Sequence, residues 1–482
     1  MSLSNIVFLP PELLETIFDH AIQSLPTQER SLQALAYSHV CRSFRLVALD
    51  SPLLWTCLHG RPGRRSLSFI ETCIERSRTS PLDVVLHFYR PDDEELAALA
   101  LDEMGIRVDG TFEMSLIHCA RWRSCSWQFV KQKAGDGETY PCKNFLSLFH
   151  NVDAPLLERL SIGMELNIGH LFNSFKGIHQ LIRTDFLWNA PNLDAITATN
   201  TDSGIPIALH AQLRYLTVEF RQLRLTRQID ALRARLKSMT VLSTIRLSLV
   251  DCCFHAERVT ASYFPFTFDI PSVQIVSITL LGCTEETTYT RAHLLWGVFG
   301  WFHFSNAVQL DVIFNIEDRE NIVLWNSHNI ALYSILAPNT KYPQRFPSLQ
   351  TLNVTILPKT KSCPPSSQTS LSTILLPHCC VPTLKHLRVQ STQYWTLLDG
   401  VGEFDESQPP YFQRGGEVVP IALETATFEI PCVDGILSWV EQLASKMRDT
   451  GCWDQFSELR VIQNGEALVI PRDDVNRWCE AC

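Results

Sequence analysis

No stretch of this chain approaches the roughly 18–20 consecutive apolar residues that cross a bilayer as a helix. The most apolar window, 294–304, is short and carries His303. The N-terminus, Met1-Ser2-Leu3-Ser4-Asn5-Ile6-Val7-Phe8-Leu9, lacks the basic n-region and the length of apolar core that a signal peptide needs. Positive charge is scarce too. Lys and Arg total 41 against 51 Asp and Glu, a formal net charge of -10 with a pI near 5.8. Nucleic-acid binding draws on clustered cations that displace phosphate counterions, so the acidic balance argues against a nucleic-acid partner. Catalytic signatures are missing as well. There is no Gly-x-Ser-x-Gly elbow, P-loop, His-Glu-x-x-His or Gly-x-Gly-x-x-Gly. These absences lead to the expectation of a protein that is not an enzyme, needs no cofactor and touches neither membrane nor nucleic acid.

What is present suits a folded chain. At 482 residues it exceeds what one core usually organises, and 45% hydrophobic with 19% charged residues lies well away from disorder. Sixteen cysteines are few for this length, so the reading is of mostly free thiols in a reducing compartment, cytoplasmic or nuclear. Cys252-Cys253-Phe254-His255-Ala256-Glu257 holds metal-ligand types without a second Cys-x-x-Cys at finger spacing, and Cys379 and Cys380 follow a predicted strand; neither is read as a metal site. The terminal Cys479-Glu480-Ala481-Cys482 is a poor prenylation box, because Glu480 and Cys482 suit it badly. Asp92-Asp93-Glu94-Glu95 reads as a solvated helix start.

The first 60 residues predict a three-helix unit. Pro10-Pro11-Glu12 is a helix entry, with proline where an unbonded N–H is lost at no cost and an acid at the positive dipole end. Leu13, Ile17 and Ala21 share one face, with Leu14, Phe18 and Ile22 beside it. Pro26 punctuates. A second helical stretch from about 31 to 49 is expected to bend or break near Ser38, and Asp50-Ser51-Pro52 stops it ahead of Leu53-Leu54-Trp55. Such a unit has more apolar surface than it can bury alone.

Three blocks in order, Leu9-Pro10-x-Glu12-Leu13-Leu14-x-x-Ile17-Phe18, Val40-Cys41-Arg42-x-Phe44 and Pro52-x-Leu54-Trp55, resemble an F-box, most closely the F-box-like domains abundant in mushroom-forming fungi. The resemblance implies docking on a Skp-type adaptor that joins a cullin scaffold. The adaptor contacts it implies are Leu9, Pro10, Leu13, Ile17, Val40, Cys41, Phe44, Leu54 and Trp55. Phe44 stands where the family usually has tryptophan, and the segment from Gln23 to Ser31 is longer and more polar than usual. The other reading of these residues is a helical cap that packs on the rest of the chain.

From Ala154 a short phrase recurs, often opened by proline: Leu-x-x-Leu-x-Val. It stands at Pro155–Ile162, Pro191–Ile196, Ala211–Val218, Pro347–Val354 and Pro382–Val389. Weaker copies centre on Leu242 to Leu249 and Val273 to Ile278, with others near Leu310, Leu423 and Leu459. Alternation of apolar residues makes a strand with one apolar face, and the earlier leucine turns the chain inward. One copy cannot bury that face, so copies must stack. Spacings wander from roughly 20 to roughly 40 residues, against 20–29 for regular leucine-rich repeats, and most copies lack the signature asparagine.

The expected fold is therefore α/β: an N-terminal three-helix F-box-like module (1–60), a linking segment with a probable first repeat (61–150) and an irregular leucine-rich-repeat-like solenoid (151–482). A mixed α/β domain without true periodicity is the alternative for 60–482. A first strand is predicted at Pro81–Phe88, helices at Arg227–Leu236, Ile436–Ala444 and Arg291–Phe304, and loops at 359–369, 400–416 and 135–140.

The function expected from the resemblance is substrate recognition in an SCF-type ubiquitin ligase. Its partners would be the adaptor, the cullin and an unknown protein substrate bound by the repeats, with Trp188, Trp325, Tyr394 or Trp395 as candidate anchors. The alternatives are an interaction scaffold outside the ligase and an enzyme with an unrecognised site.

Overall fold

The computed structural model describes residues 9–60, 67–90, 107–108, 110–131, 140–141, 151–164, 187–200, 207–221, 232–254, 268–285, 299, 302–317, 332, 335–336, 344–357, 372–376, 381–392, 395–399, 422–431 and 433–481. They fall into two compact units, Met1–Leu216 and Thr217–Cys482.

The first unit opens with three helices, α1 (Pro11–Gln23), α2 (Arg30–Ser38) and α3 (Arg42–Asp50). The predicted break near Ser38 is there. Pro10 caps α1, and Pro11 takes the position where a missing N–H is harmless. Leu14, Phe18 and Ile22 form its buried stripe, one helical turn apart. Arg30 closes the other end, donating to the carbonyls of Leu25 (3.1 Å) and Gln23 (3.3 Å). The Cys41 sulfur caps α3 by accepting from the Phe44 N–H at 3.4 Å, the task an oxygen usually performs.

A parallel ladder follows. Its strands are β1 (Cys57–His59), β2 (Leu82–Arg90), β4 (Trp122–Lys131), β7 (Arg159–Met164) and β9 (Ala195–Thr199), each hydrogen-bonded to the next. Short strands β3 (Arg107–Val108) and β5 (Tyr140–Pro141) add antiparallel pairs at the end of β2, and β6 (Asn151–Asp153) pairs with β8 (Leu187–Asn189). Helices α4 (Ser68–Ser77) and α5 (Gly110–Leu116) lie between the early strands in sequence. The predicted strand at Pro81–Phe88 is β2, and β1 precedes it directly after Trp55. Tyr140, read as the end of a loop, lies in β5; residues 135–139 are outside the described residues.

β10 (Tyr215–Arg221) runs across the boundary between the units. The second unit holds β11 (Thr244–Val250), β12 (Cys253–Phe254), β13 (Phe268–Asp269), β14 (Ile275–Glu285), β15 (Phe302–His303), β16 (Gln309–Glu317) and β17 (Thr351–Ile356). After them come β18 (Ser372–Leu376), β19 (His386–Ser391), β20 (Trp395–Asp399), β21 (Thr425–Glu429), β22 (Glu458–Gln463) and β23 (Glu466–Pro471). The parallel order β11-β14-β16-β17-β19-β21-β22 ends on an antiparallel hairpin to β23. Helices α6 (Asp434–Asp449) and α7 (Val475–Ala481) belong to this end. The predicted Ile436–Ala444 lies inside α6, with Ile436, Trp439, Val440, Leu443 and Met447 buried.

Register aligns the recurring phrase with itself. Ile245, Val276, Leu310, Leu352, Leu387, Ala426 and Leu459 are successive Cα partners, and all are buried. Two residues on, Leu247, Ile278, Val312, Val354, Val389, Phe428 and Val461 make a second buried row. Alternation along each strand thus becomes rows across the ladder.

The turn before each strand repeats too. Leu349 N–H bonds Phe346 O at 3.3 Å and Leu384 N–H bonds Val381 O at 3.1 Å, driving the phrase's first leucine inward. One carbonyl then accepts two N–H groups from the next copy. Val308 O takes Gln350 and Thr351 at 2.9 Å each; Gln350 O takes Lys385 and His386 at 2.9 and 2.8 Å. Side chains at the turn tie copies together where the signature asparagine is missing. Asn192 Nδ2 reaches Pro155 O (2.7 Å), Asn306 Nδ2 reaches Pro271 O (2.9 Å) and Thr383 Oγ1 reaches Pro347 O (3.2 Å).

Two expectations change. The helix predicted at Arg291–Phe304 stops short: Phe299 is helical, Phe302–His303 is the strand β15, parallel to β13, and 291–298 and 300–301 lie outside the described residues. Phe302 and Phe304 both turn inward with their rings stacked at 5.9 Å, a period of two rather than of a helix. Trp188 is no surface anchor. It is buried edge-on against Trp127, ring centres 5.1 Å apart. Residues 232–236 of the predicted helix at Arg227–Leu236 are helical, with Leu232 and Leu236 buried; its residues 227–231, Trp325, Tyr394, the side chain of Trp395, the loops at 359–369 and 400–416, residues 92–95 and Cys379–Cys380 lie outside the described residues. So do His255, Glu257 and Cys482; Cys252 is buried, its thiol donating to Phe220 O at 3.2 Å.

Candidate functional site

The N-terminal helices close a small core without using all their apolar residues. Phe18 stacks on Tyr37 (ring centres 4.4 Å) and meets Phe44 edge-on (5.0 Å), drawing the turn between α2 and α3 against α1. Trp55 completes the core from the far side. Its Nε1 donates to Ala48 O at 2.6 Å, and the Arg76 guanidinium lies 4.4 Å from its ring centre. Glu15 on α1 accepts from Ser51 Oγ at 2.7 Å, fixing the end of α3.

Outside this core an apolar face remains. Pro10, Leu13 and Ile17 follow helical spacing along α1, with Leu13 52% and Ile17 48% exposed. Val40, in the turn held against α1, is 61% exposed. Leu46 on α3 and Leu53 beyond it are exposed as well. So many large apolar side chains left in water on so small a unit is the pattern of a docking surface.

The nine residues singled out in the sequence divide into three groups. Pro10, Leu13, Ile17 and Val40 are at the surface. Leu9, Cys41 and Phe44 are half-buried, Cys41 as the cap of α3 and Phe44 against Phe18. Leu54 and Trp55 are internal, 1% and 0% exposed. Leu46 lies outside the three matching blocks and Leu53 stands at the unspecified position of the third, so the pattern makes neither a contact. The signal for Leu46 was available in the helical phase of α3, where Val47 and Ala48 take the buried stripe and leave Leu46 outward.

The helical unit is joined to the ladder rather than tethered by a linker. Ser31 Oγ on α2 donates to Cys57 O in β1 at 2.6 Å, and the Cys57 thiol donates to Thr27 O. Buried Asp83 on β2 accepts from Arg123 through both Nε (3.2 Å) and Nη2, and from Ser124 Oγ at 2.6 Å. Arg30, at the start of α2, comes to 4.0 Å. Hydrogen bonding to Asp83 raises the Arg123 pKa. Burial pushes the Cys57 thiol far above its ordinary range, with Asp83 adding to it, and pushes Cys73 up to about 12.

The outward face of the second unit's strands is polar. Arg246, Ser277, Asp311, Asn353, Arg388 and Thr427 are aligned by register into one row. Asn353 Nδ2 donates to Asp311 Oδ1 (2.6 Å), Arg388 pairs with Glu429 (3.0 Å) and Lys385 with Glu424 (2.7 Å), whose pKa that contact lowers. Such a face can meet a polar protein surface. Among the described residues no helix is long and apolar enough to cross a membrane, and no cluster of three or more His, Cys, Asp or Glu could hold a metal ion.

Comparison with known families agrees with the helical geometry. The F-box-like family model matches residues 6–61, covering α1 to β1. An F-box-like domain therefore occupies the N-terminus, and F-box domains generally bind Skp-type adaptors. No curated protein matches the chain.

Proposed function

We propose that this chain is the substrate-recognition subunit of an SCF-type ubiquitin ligase, not itself an enzyme. The F-box-like domain binds a Skp-type adaptor, and through it a cullin scaffold, by the face formed by Pro10, Leu13, Ile17 and Val40. Leu9, Cys41 and Phe44 flank that face; Leu54 and Trp55 support it from inside. The observation that carries the reading is that α1 completes its own core with Leu14, Phe18 and Ile22 and still exposes Leu13 and Ile17.

The remainder is read as an irregular leucine-rich-repeat-like array that holds a protein target. Support comes from the phrase aligned with itself strand after strand and from the recurring turn that precedes it. The mechanism is proximity: a fixed array presents the target's lysines to a separate conjugating enzyme and raises their effective concentration. The Ser31–Cys57 and Cys57–Thr27 bonds suit this, since a stiff joint between adaptor-binding helices and ladder preserves that geometry. The setting would be cytoplasmic or nuclear.

The test is reconstitution with purified adaptor, cullin and RING subunit. The reading expects the chain to co-elute with all three and the Leu13→Asp, Ile17→Asp variant to elute alone. A folded wild-type chain that elutes alone would leave an interaction scaffold outside the ligase.

A further inference from the structure

β1 carries the chain from the F-box-like domain into the ladder, and its last residue meets β2 through a pair of histidines. His59 and His87 bring Nε2 to Nε2 at 2.9 Å, with ring centres 5.0 Å apart. Register explains the meeting. His59 lies opposite Val85, so His87 stands one step further along on the same face of the sheet. His87 is 8% exposed, and the Tyr89 ring stacks beside it at 6.2 Å. An N–H···N bond between imidazoles needs one ring to donate and the other to accept. Two neutral rings satisfy it. So does one imidazolium facing one neutral ring, in a bond that the charge strengthens. Two imidazolium rings break it, because each Nε2 then carries a hydrogen and two like charges are forced together.

The described residues around the pair do not offset that second charge. β4 sets neutral Ser126 and Gln128 opposite Val85 and His87, and β3 sets Arg107 opposite Tyr89. Asp83 shares the face but lies two steps back along β2, where it already accepts from Arg123 and Ser124, with Arg30 of α2 at 4.0 Å. Cys57, the neighbour of His59 on this face of β1, is kept a neutral thiol by burial. Arg76 of α4 lies on the Trp55 ring, and the carboxylates Glu71 and Glu75 of α4 and Glu113 of α5 are exposed.

We propose that His59 and His87 form an acid-sensitive latch at the joint between the helical module and the ladder. The pair holds with one added proton between the two rings and loosens β1 from β2 when both rings are protonated. Linkage sets the direction. In an opened joint each histidine takes a proton near the ordinary value of about 6.5, two in all, whereas the closed pair takes one. The open form therefore binds more protons below that value, so closure is complete above about pH 7 and is lost as pH falls.

Hydrogen exchange of the full chain, resolved at residues 57–59 and 83–87 and corrected for the pH dependence of the chemical step, reads this opening directly. Between about pH 7.5 and pH 5 the protection of these amides is expected to fall about tenfold or more. His59→Gln keeps a side chain that can donate to or accept from His87 and removes the second charge, so it should lose that fall. His87→Gln, which removes the other ring, should behave alike. Wild-type protection that stays constant over this range overturns the proposal, and so does a fall that both variants retain.

Discussion

Trp55 Nε1 donates to the carbonyl of Ala48 at 2.6 Å, and the indole is wholly buried between α3 and Arg76. The residue that closes the F-box-like pattern is thus an internal strut.

Trp55→Ala should accordingly unfold the module. Losing a fully buried indole and orphaning the Ala48 carbonyl costs about 3–5 kcal/mol. Urea denaturation followed by circular dichroism measures it. An unchanged midpoint would mean that the indole carries no packing role.

Buried Asp83 ties β2 to β4 through Arg123 and Ser124, with Arg30 of α2 4.0 Å away. Arg123→Met leaves this carboxylate buried with a weakened partner set and should cost about 3–5 kcal/mol, as breaking a buried pair does. Asp83→Asn keeps some hydrogen bonds and frees arginines that are partly exposed and can rehydrate; about 1.5–3 kcal/mol is expected. Denaturant midpoints of the two variants test this order.

Thiol reactivity separates core from surface. Burial raises the pKa of Cys57, Cys73 and Cys125, so the thiolate that reacts is suppressed in the folded chain. At pH 8 a thiol reagent should label half-buried Cys41, Cys119, Cys452 and Cys479 first and reach the buried three only on unfolding. The linkage has a definite sign. A folded pKa above the unfolded one gives stability that is complete below the ordinary thiol value near 9 and declines as pH rises past it toward the folded value. Midpoints at pH 8 and pH 10 report the fall.

In the second unit, Leu352→Ala deletes a link in a row that runs from Ile245 to Leu459. A cost of about 2–5 kcal/mol is expected from lost transfer energy and the cavity. Thr351→Ala, on the outward face beside it, should lie within about 0.5 kcal/mol of wild type in the same assay.

Much of the ladder was legible because alternation is a local signal. Leu349, Leu352 and Val354 announce a turn and an inward-facing strand, and the structure buries all three. The buried stripe of α1 was legible for the same reason. Residues whose role depends on the third dimension were less so. Leu54 and Trp55 match the family pattern whether they face a partner or the core, and only packing against α3 and α4 decides. Cys41 as a helix cap, and Asn192, Asn306 and Thr383 as ties between copies, make contacts that no spacing within one copy reveals. Phe302 and Phe304 sit in an apolar run that fits either period, and the pairing of β15 with β13 chose strand. Asn464-Gly465 is a hairpin signal that stood in plain view between alternating residues.

The proposed docking of a Skp-type adaptor on the exposed face of α1 turns on Ile17. Ile17 is half in water, so Ile17→Asp should leave the denaturation midpoint within about 0.5 kcal/mol of wild type. Calorimetric titration of purified adaptor into each chain is the most direct measurement. Saturable binding heat is expected with the wild-type chain and none with folded Ile17→Asp; equal binding by both, or none by the wild type, would rule this docking face out.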